Sequence, residues 1–222
     1  PEIIYPDGSR NEVAVGTPVV DLLGGLPRRV QKKAVAVKIA DDLLDMRATV
    51  ERGGEFRVVT TDDRESLHVL RHSVSHLMAL AVQELFPGVK FAIGPSIEDG
   101  FYYDFLIDGT FSPEDLEAIE RRMIELRDAG DLEFTREMLS PDEAIALFEK
   151  AGQPFKVELI RDLDAEQVSI YRLGAFTDLC AGPHVPDLKM AKGFKLLSIA
   201  GAYWRGDEHR EMLQRIYGTA FF

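Results

Sequence analysis

A helical pattern covers residues 65–86, ESLHVLRHSVSHLMALAVQELF, and separates an earlier from a later part of the chain. Its apolar residues recur at intervals of three or four, the spacing that places side chains on one face of a helix. They are Leu67, Leu70, Val74, Leu77, Ala81 and Leu85. Pro87-Gly88 follows directly and ends the pattern. The spacing predicts one long helix over 65–86, with histidines on the face opposite the apolar residues.

Short β-prone runs and turns fill the part of the chain before this helix. The runs lie at 2–5, 11–15, 35–39, 49–50 and 56–59, and the turns between them contain Pro6-Asp7-Gly8-Ser9, Asp41-Asp42 and Gly53-Gly54. Thr17-Pro18 supplies the residues preferred at the cap and first position of a helix. A hairpin, one helix and further short strands in so few residues predict a small ubiquitin-like β-grasp domain over 1–62.

The sequence after the long helix mixes strands and helices. Ser112-Pro113 and Ser140-Pro141 each begin a helix, and Glu143 completes a capping box in the second. Strands are expected at 89–93, 101–107, 155–160, 170–173, 194–199 and 202–205. The pattern predicts an α+β domain over 63–222, with helices packed on a mainly antiparallel sheet.

Composition narrows the class of protein. Of the 222 residues, 45% are apolar and 29% charged, which is typical of a globular chain and excludes a disordered or fibrous one. No apolar run approaches the length of a membrane span, and no secretory leader is visible. The single cysteine, Cys180, excludes an internal disulfide and fits a reducing cytoplasm. Because the sequence begins with Pro1 rather than Met, we expect a piece of a longer protein.

The net charge of −12 argues against a broad nucleic-acid-binding surface, because phosphate contacts need Lys and Arg. Any RNA contact would need local basic patches. Two clusters could supply them: Arg28, Arg29, Lys32 and Lys33 near the start, and Lys189, Lys192 and Lys195 near the end. Both clusters fit a merely solvated face equally well.

Three histidines recur every fourth residue on the long helix, at His68, His72 and His76. The small residues Ser75 and Ala79 beside this stripe leave room for a ligand. His72-x-x-x-His76 has the spacing that metal sites on helices use. Taken alone, two histidines at this spacing arise often by chance and more commonly form a solvated or hydrogen-bonded pair than a ligand site.

A second cluster lies about a hundred residues later, in Asp178-Leu-Cys180-Ala-Gly-Pro-His184. Gly-Pro between cysteine and histidine predicts a tight turn on which thiol and imidazole converge. Together with His72 and His76, these two residues make four nitrogen or sulfur groups, the number that tetrahedral zinc needs. The same set would suit a wet polar cleft in which imidazoles orient a water, and Cys180 is also a nucleophile candidate.

Three further side chains could reach such a cleft. Tyr103 follows Tyr102 on a predicted strand, so only one of the two can face a given cleft. Lys156 lies on the strand predicted over 155–160 and could face the cleft or solvent. Asp178 lies two residues before Cys180 and faces the same side if the strand continues.

Four strings, taken together, carry a resemblance to a known family: RHSVSHL (71–77), GPSIEDGFYYDF (94–105), TDLCAGPHVP (177–186) and GAYWRGDEHREMLQRIYGTAF (201–221). They closely resemble the N-terminal half of bacterial threonyl-tRNA synthetases. Residues 1–62 resemble the TGS domain of that family, and residues 63–222 resemble its editing domain. Two positions depart from the family pattern, where Ala181 replaces a frequent Arg and Ser75 a frequent Ala.

The resemblance implies post-transfer editing, the hydrolysis of the ester of mischarged seryl-tRNA(Thr). Serine lacks one methyl of threonine, and one methyl supports only about 1–3 kcal/mol of discrimination, so a synthetic site alone makes errors. The implied partners are the acceptor end of tRNA(Thr) and the catalytic and anticodon-binding domains of the longer enzyme. This piece is not expected to bind ATP or to act as a ligase.

The resemblance also assigns roles within the site. His72, His76, Cys180 and His184 form the pocket, with His72 preferred as base or water-orienting group and Cys180 as pocket wall rather than nucleophile. Asp178 is the implied partner of the substrate ammonium. Lys156 and Tyr103 are implied to hold the ester end or the terminal adenosine.

The metal and two other functions stay open at this point. Zinc at His72, His76, Cys180 and His184 is compatible with the alanyl relatives but is not expected to be obligatory. A zinc hydrolase of another substrate class would need Glu after the first histidine, where Ser73 stands. A non-catalytic RNA- or protein-binding module is the remaining alternative, and turnover would distinguish it.

Overall fold

The computed structural model describes residues 1–222, and its first part forms one five-stranded sheet with short helices. The elements in chain order are β1 (Glu2–Ile4), β2 (Arg10–Glu12), a 3-10 turn (Val19–Leu23), α1 (Arg28–Lys33), β3 (Ala34–Ile39), β4 (Asp42–Leu44) and β5 (Gly54–Thr60). The strand order is β2-β1-β5-β3-β4. Strands β1 and β5 are parallel, and the other neighbours are antiparallel.

The longer second part contains four helices and eight strands. They are α2 (Ser66–Leu85), β6 (Lys90–Phe91), β7 (Ser96–Ile97), β8 (Gly100–Leu106), α3 (Pro113–Ala129), β9 (Phe134–Leu139), α4 (Pro141–Lys150), α5 (Pro154–Arg161), β10 (Val168–Leu173), β11 (Phe176–Leu179), β12 (Gly193–Tyr203) and β13 (Met212–Phe221). None of the helices combines the length and the apolar character needed to cross a membrane.

The strands of the second part form two sheets, both antiparallel throughout. One has the order β12-β13-β8-β6, with β7 also paired to β8, and the other has the order β11-β10-β9. This arrangement confirms the predicted α+β class with helices on antiparallel sheets. The β-grasp assignment of the first part and the boundary between 62 and 63 stay predictions.

Helix α2 lies at the centre of the molecule. It packs against α3 and against β8 and β13, and it also reaches β3, β10 and β11. Every residue from Val69 to Val82 is buried except His72. The helix is therefore enclosed on all sides and not only along its apolar stripe, so that its polar residues need partners on the surrounding elements.

The two parts of the chain share one hydrophobic core. Val35, Ala36 and Val59 of the first sheet belong to the same buried cluster as Leu70 and Leu77 of α2. A separate, smaller core fills the first sheet. Apolar burial therefore ties the first sheet directly to the layer that carries α2.

The strand predicted over 155–160 is wrong, because these residues form helix α5. Pro154 occupies its first position, where a missing N–H costs nothing. Phe155, Lys156, Val157 and Ile160 are buried. A short apolar run fits helical and strand periods alike, and Pro154 was the signal that distinguishes them.

The predicted helix at Thr17-Pro18 is wrong in extent. Val19–Leu23 is a single 3-10 turn, and α1 follows separately. Thr17 does not cap it, since its Oγ1 donates backwards to the carbonyl of Ala14 at 2.8 Å.

Strand β13 is missing from the sequence prediction, as are β9 and β11, and the two strands expected over 194–205 are one strand, β12. Glycines interrupt the apolar pattern of both long strands, β12 and β13. Gly218 in β13 stands where the Phe101 ring packs, and a Cβ there would lie 2.4 Å from that ring. Gly201 likewise interrupts the apolar pattern of β12 without breaking the strand.

The capping box predicted at Ser140 is present, and Ser112 forms a second one that was not predicted. In α3 the Ser112 hydroxyl accepts the N–H of Asp115 at 3.2 Å, and the Asp115 carboxylate accepts the N–H of Ser112 at 2.7 Å. The helix ends at Gly130, which has a φ of 71°. In α4 Ser140 and Glu143 repeat the arrangement.

Replacing Ser112 by Ala removes one half of the α3 capping box. We expect the free energy of unfolding to fall by about 1 kcal/mol, measured by urea denaturation. The exposed neighbour Thr110→Ala serves as the control and should leave stability within about 0.5 kcal/mol of wild type. Equal losses in the two variants would contradict the capping role.

Candidate functional site

Helix α2 presents two histidines to the same spot, one turn apart. The rings of His72 and His76 lie edge to face with centroids 4.9 Å apart. His76 is only 1% exposed, whereas His72 is partly exposed. One imidazole is thus open to solvent while its neighbour is enclosed.

The chain after β11 brings Cys180 and His184 to these rings. The Cys180 Sγ lies 3.3 Å from the Nε2 of His72 and 3.3 Å from the Nε2 of His184. The N–H of Gly182 donates to the same sulfur at 3.2 Å. Gly182 has a φ of 73°, and a Cβ there would lie 2.4 Å from the hydroxyl of Tyr171, so the turn requires glycine.

The ligand atoms of His72, His76, Cys180 and His184 all lie within 4.8 Å of one another. Three imidazole nitrogens and one thiol sulfur form a donor set that zinc prefers. The four residues therefore fit a bound metal ion in number, chemistry and spacing.

Hydrogen bonds on α2 fix the proton of His184. The Ser73 hydroxyl donates its only proton to the carbonyl of Val69 at 2.7 Å, and its oxygen lies 3.3 Å from the Nδ1 of His184. We infer that Nδ1–H donates to Ser73, which leaves the Nε2 lone pair of His184 facing Cys180.

A second buried network adjoins the histidines and is centred on Asp178. One carboxylate oxygen lies 2.5 Å from the Nζ of Lys156, and the other accepts the hydroxyl of Tyr103 at 2.8 Å. The same second oxygen lies 3.3 Å from the Nε2 of His76. Lys156 also donates to the carbonyl of Ala92 and to Tyr103. All seven residues predicted for the site therefore form one connected cluster.

Not all seven reach the open space in front of them. A cleft of about 330 Å³ is lined by His72, His76, Lys156, Asp178 and Cys180 on the side of the cluster, and also by Ile93, Gly94, Pro95, Leu159, Leu179, Ala181 and Gly182. Tyr103 is fully buried, and His184 lies behind Cys180. Tyr102 points away from the cleft and stacks on Arg215.

Burial controls the protonation of the ring groups. It lowers the pKa of His72, and the nearby Asp178 carboxylate offsets part of this effect. The pKa values of His76 and His184 lie well below 6.5, again because burial disfavours the charged ring. All three imidazoles are therefore neutral near pH 7.

The same burial keeps the Cys180 thiol and the Tyr103 hydroxyl protonated. It raises the pKa of the Cys180 thiol far above its ordinary value, with the Asp178 charge adding to the effect. It also raises the pKa of Tyr103, which donates to Asp178. Since the thiolate is the nucleophilic form, this environment does not activate Cys180.

Two residues at the site were missed by the sequence reasoning. The Phe134 ring of β9 stacks on His184 with centroids 4.1 Å apart and planes within 7°. Gly94 lets the chain pass directly over Tyr103, since a Cβ there would lie 1.9 Å from the ring. The Gly94-Pro95 pair signalled a loop, but β9 gave no recognisable strand pattern.

The remaining histidines stay outside the site, because His68 and His209 are both exposed. The structure brings basic residues of the two sequence clusters together. Lys32 and Lys33 of the first cluster and Lys189 and Lys192 of the second line one common cleft of about 380 Å³. Two residues of each cluster therefore lie around one cleft, which Asp187 also lines, and Lys33 pairs with Asp62 at 2.7 Å.

Comparison with known proteins finds a matching family for part of the chain. Residues 168–217 match the family described as "Threonyl and Alanyl tRNA synthetase second additional domain". This span includes β10, β11, the turn with Cys180 and His184, and β12.

Relatives extend the similarity over the whole chain. It is 52% identical over 99% of its length to the threonine--tRNA ligase of Pelobacter propionicus, and 49% identical over its full length to that of Coxiella burnetii. The threonine--tRNA ligase of Geobacter sp. is 51% identical over 99% of the chain. In each case the chain spans about a third, 34%, of the length of the curated relative that it matches.

Buried neutral histidines make stability depend on pH. Their folded pKa lies below the unfolded value near 6.5, so their contribution is fully present above that pH and is lost as the pH falls. Each of these two histidines should lower the free energy of unfolding by up to about 1.4 kcal/mol for every pH unit below about 6.5. Urea unfolding between about pH 7 and about pH 5 should show a shallower pH slope in His76→Asn than in wild type.

His68 provides the control for this experiment, because it is exposed on the same helix and lies outside the buried cluster. His68→Asn should keep the wild-type slope. An unchanged slope in His76→Asn would contradict the assignment of a neutral, buried imidazole.

Proposed function

We propose that this chain hydrolyses the ester of mischarged seryl-tRNA(Thr), with residues 63–222 as the editing domain and residues 1–62 as a TGS domain. The observation that carries the proposal is the convergence of His72, His76 and Cys180 with the Lys156–Asp178 pair on one small cleft. The similarity to threonine--tRNA ligases supports an aminoacyl-tRNA as the substrate.

The proposed reaction uses His72 as the general base. It is the one partly exposed imidazole of the cluster, and it is neutral near pH 7. A water in the cleft gives its proton to His72 while its oxygen attacks the ester carbonyl carbon. The bond between that carbon and the ribose oxygen then breaks, and the ribose oxygen takes up the proton.

Charged groups orient the aminoacyl end in this scheme. Asp178 accepts the substrate ammonium, and Lys156 holds the carboxylate at 2.5 Å. The Lys156 ammonium also lies at the cleft, where it stabilises negative charge that develops on the carbonyl oxygen. Tyr103 is fully buried, so it acts by positioning Asp178 and Lys156.

Selectivity for serine follows from the rigidity of the cleft. Its wall includes Gly94, packed directly over Tyr103, and Gly182, packed over Tyr171. Neither stretch of backbone can move towards its ring without a clash, and the proposed selectivity requires that this fixed wall exclude the additional methyl of threonine. A cleft that excludes a group can discriminate more strongly than one that merely loses a contact.

A metal is not required in this scheme. If zinc binds, His72, His76, Cys180 and His184 hold it, and it would supply a bound water of lowered pKa. The deacylation steps above are carried by the side chains themselves.

The proposed macromolecular partner is the acceptor end of tRNA(Thr), presented with the catalytic and anticodon-binding domains of a longer enzyme. Lys32, Lys189 and Lys192 around one cleft supply local positive charge for a phosphate backbone, beside Asp187 and a Lys33 that is paired with Asp62. They do so within a chain whose net charge is −12.

Deacylation of Ser-tRNA(Thr) beside Thr-tRNA(Thr), with and without chelator, tests the proposal. We expect selective loss of the seryl ester that chelator does not change. Activity that disappears with chelator would assign the chemistry to a bound metal. Absence of hydrolysis, even at high protein concentration to compensate for weak RNA binding, would reject the proposed function.

His72→Ala should lower the deacylation rate by about 10²–10⁴-fold, the usual contribution of a positioned base. His68→Ala is the matched control, since it removes an exposed imidazole one turn earlier on α2 and should keep the wild-type rate. A His72→Ala protein that folds and retains full activity would exclude His72 as the base.

A further inference from the structure

The turn that carries His184 is held from outside by the first sheet. Asp45 follows β4 and is only 3% exposed. Its Oδ2 accepts the backbone N–H of His184 at 2.9 Å and the hydroxyl of Tyr171 at 3.3 Å. A residue of the first part of the chain thus bonds the backbone of a histidine in the site.

Arg47 extends this contact to both sides of the turn. Its Nη2 donates to the carbonyls of Val185 and Pro186 at 3.2 and 3.1 Å, and its Nε donates to the carbonyl of Phe134 at 2.7 Å. The Phe134 ring is the one that stacks on His184. Arg47 therefore fixes the turn and the ring that supports the imidazole.

The two residues also bind each other. The Oδ1 of Asp45 accepts the Nη1–H of Arg47 at 3.1 Å and its backbone N–H at 2.7 Å. A buried carboxylate is costly unless it is paired and hydrogen-bonded. Here two of its four donors, on His184 and Tyr171, belong to the second part of the chain.

Helix α2 holds the opposite side of the same segment. The Ser73 hydroxyl accepts the N–H of Val185 at 2.9 Å and lies against the His184 ring. Hydrogen bonds from α2 on one side and from the Asp45–Arg47 pair on the other therefore hold the peptide units of His184 and Val185. Without the pair, the N–H of His184 and the carbonyl of Val185 lose their partners together.

We propose that Asp45 and Arg47 are positioning residues of the candidate site, so that residues 1–62 complete it. They hold the segment 180–186 in the geometry that sets the His184 imidazole and the Cys180 thiol against His72. The consequence for hydrolysis rests on the proposed function, whereas the consequence for the geometry of the turn does not.

Cys180 provides a direct readout of this geometry, because it is the only cysteine in the chain and is 8% exposed. Alkylation by iodoacetamide, followed by mass spectrometry, reports how often the turn opens. Two variants weaken the pair with little change of volume. In Asp45→Asn, an amide NH₂ group replaces one of the carboxylate oxygens that accept hydrogen bonds. In Arg47→Lys, the single ammonium cannot reproduce the guanidinium's contacts to three carbonyls.

We expect alkylation of Cys180 to become about tenfold faster in both variants, as for the loss of a hydrogen bond to a charged group. Hydrolysis of the seryl ester should fall in parallel. Ile3→Ala is the matched control, since it weakens the core of the first sheet without touching the turn. At an equal or greater loss of thermal stability, it should leave the alkylation rate near wild type.

Three outcomes would overturn the proposal. Wild-type alkylation rates in Asp45→Asn and Arg47→Lys would show that the pair does not hold the turn. Equal acceleration in Ile3→Ala would reduce the effect to general destabilisation. Failure of both variants to fold would make the pair a folding element. If the wild-type protein has no esterase activity but alkylation is still faster in the two variants, the positioning role stands and only the proposed function is rejected.

Discussion

A charge buried on Lys156 can be held only beside an opposite charge, and Asp178 supplies it at 2.5 Å. The surrounding structure depends on this pair. Helix α5 brings the lysine, β11 the aspartate, β8 the Tyr103 hydroxyl and α2 the His76 ring. Removing one partner of such a buried pair typically lowers the free energy of unfolding by about 3–5 kcal/mol. Because the partners lie on α5, β11, β8 and α2, the pair links helices and both sheets of the second part.

Burial sets the protonation state of the neighbouring histidines. Burial behind Phe134 and around α2 keeps the imidazoles of His76 and His184 neutral and the Cys180 thiol protonated. Only His72 meets the cleft with a partly open face. The fold thereby separates one ring that can exchange protons with water from two that serve as fixed neighbours.

Local signals in the sequence predicted much of this arrangement. The three-four spacing of apolar residues predicted α2, Ser112-Pro113 and Ser140-Pro141 predicted the starts of α3 and α4, and Gly182-Pro183 predicted the turn. Each of these features is decided by residues within a few positions of one another. Helix α5 was misread as a strand because eight residues cannot distinguish two periods, and β13 was missed because Gly218 makes room for a distant ring.

The sequence by itself determined which groups are available: four nitrogen or sulfur ligands, one lysine, one aspartate and two basic clusters, each defined by residue type and spacing. Only the tertiary structure decided their roles. It placed Lys156 on Asp178 from a helix, His184 behind Cys180, and Asp45 on the His184 backbone across 139 residues. Such contacts depend on how sheets enclose α2, and burial sets protonation only after that packing is complete.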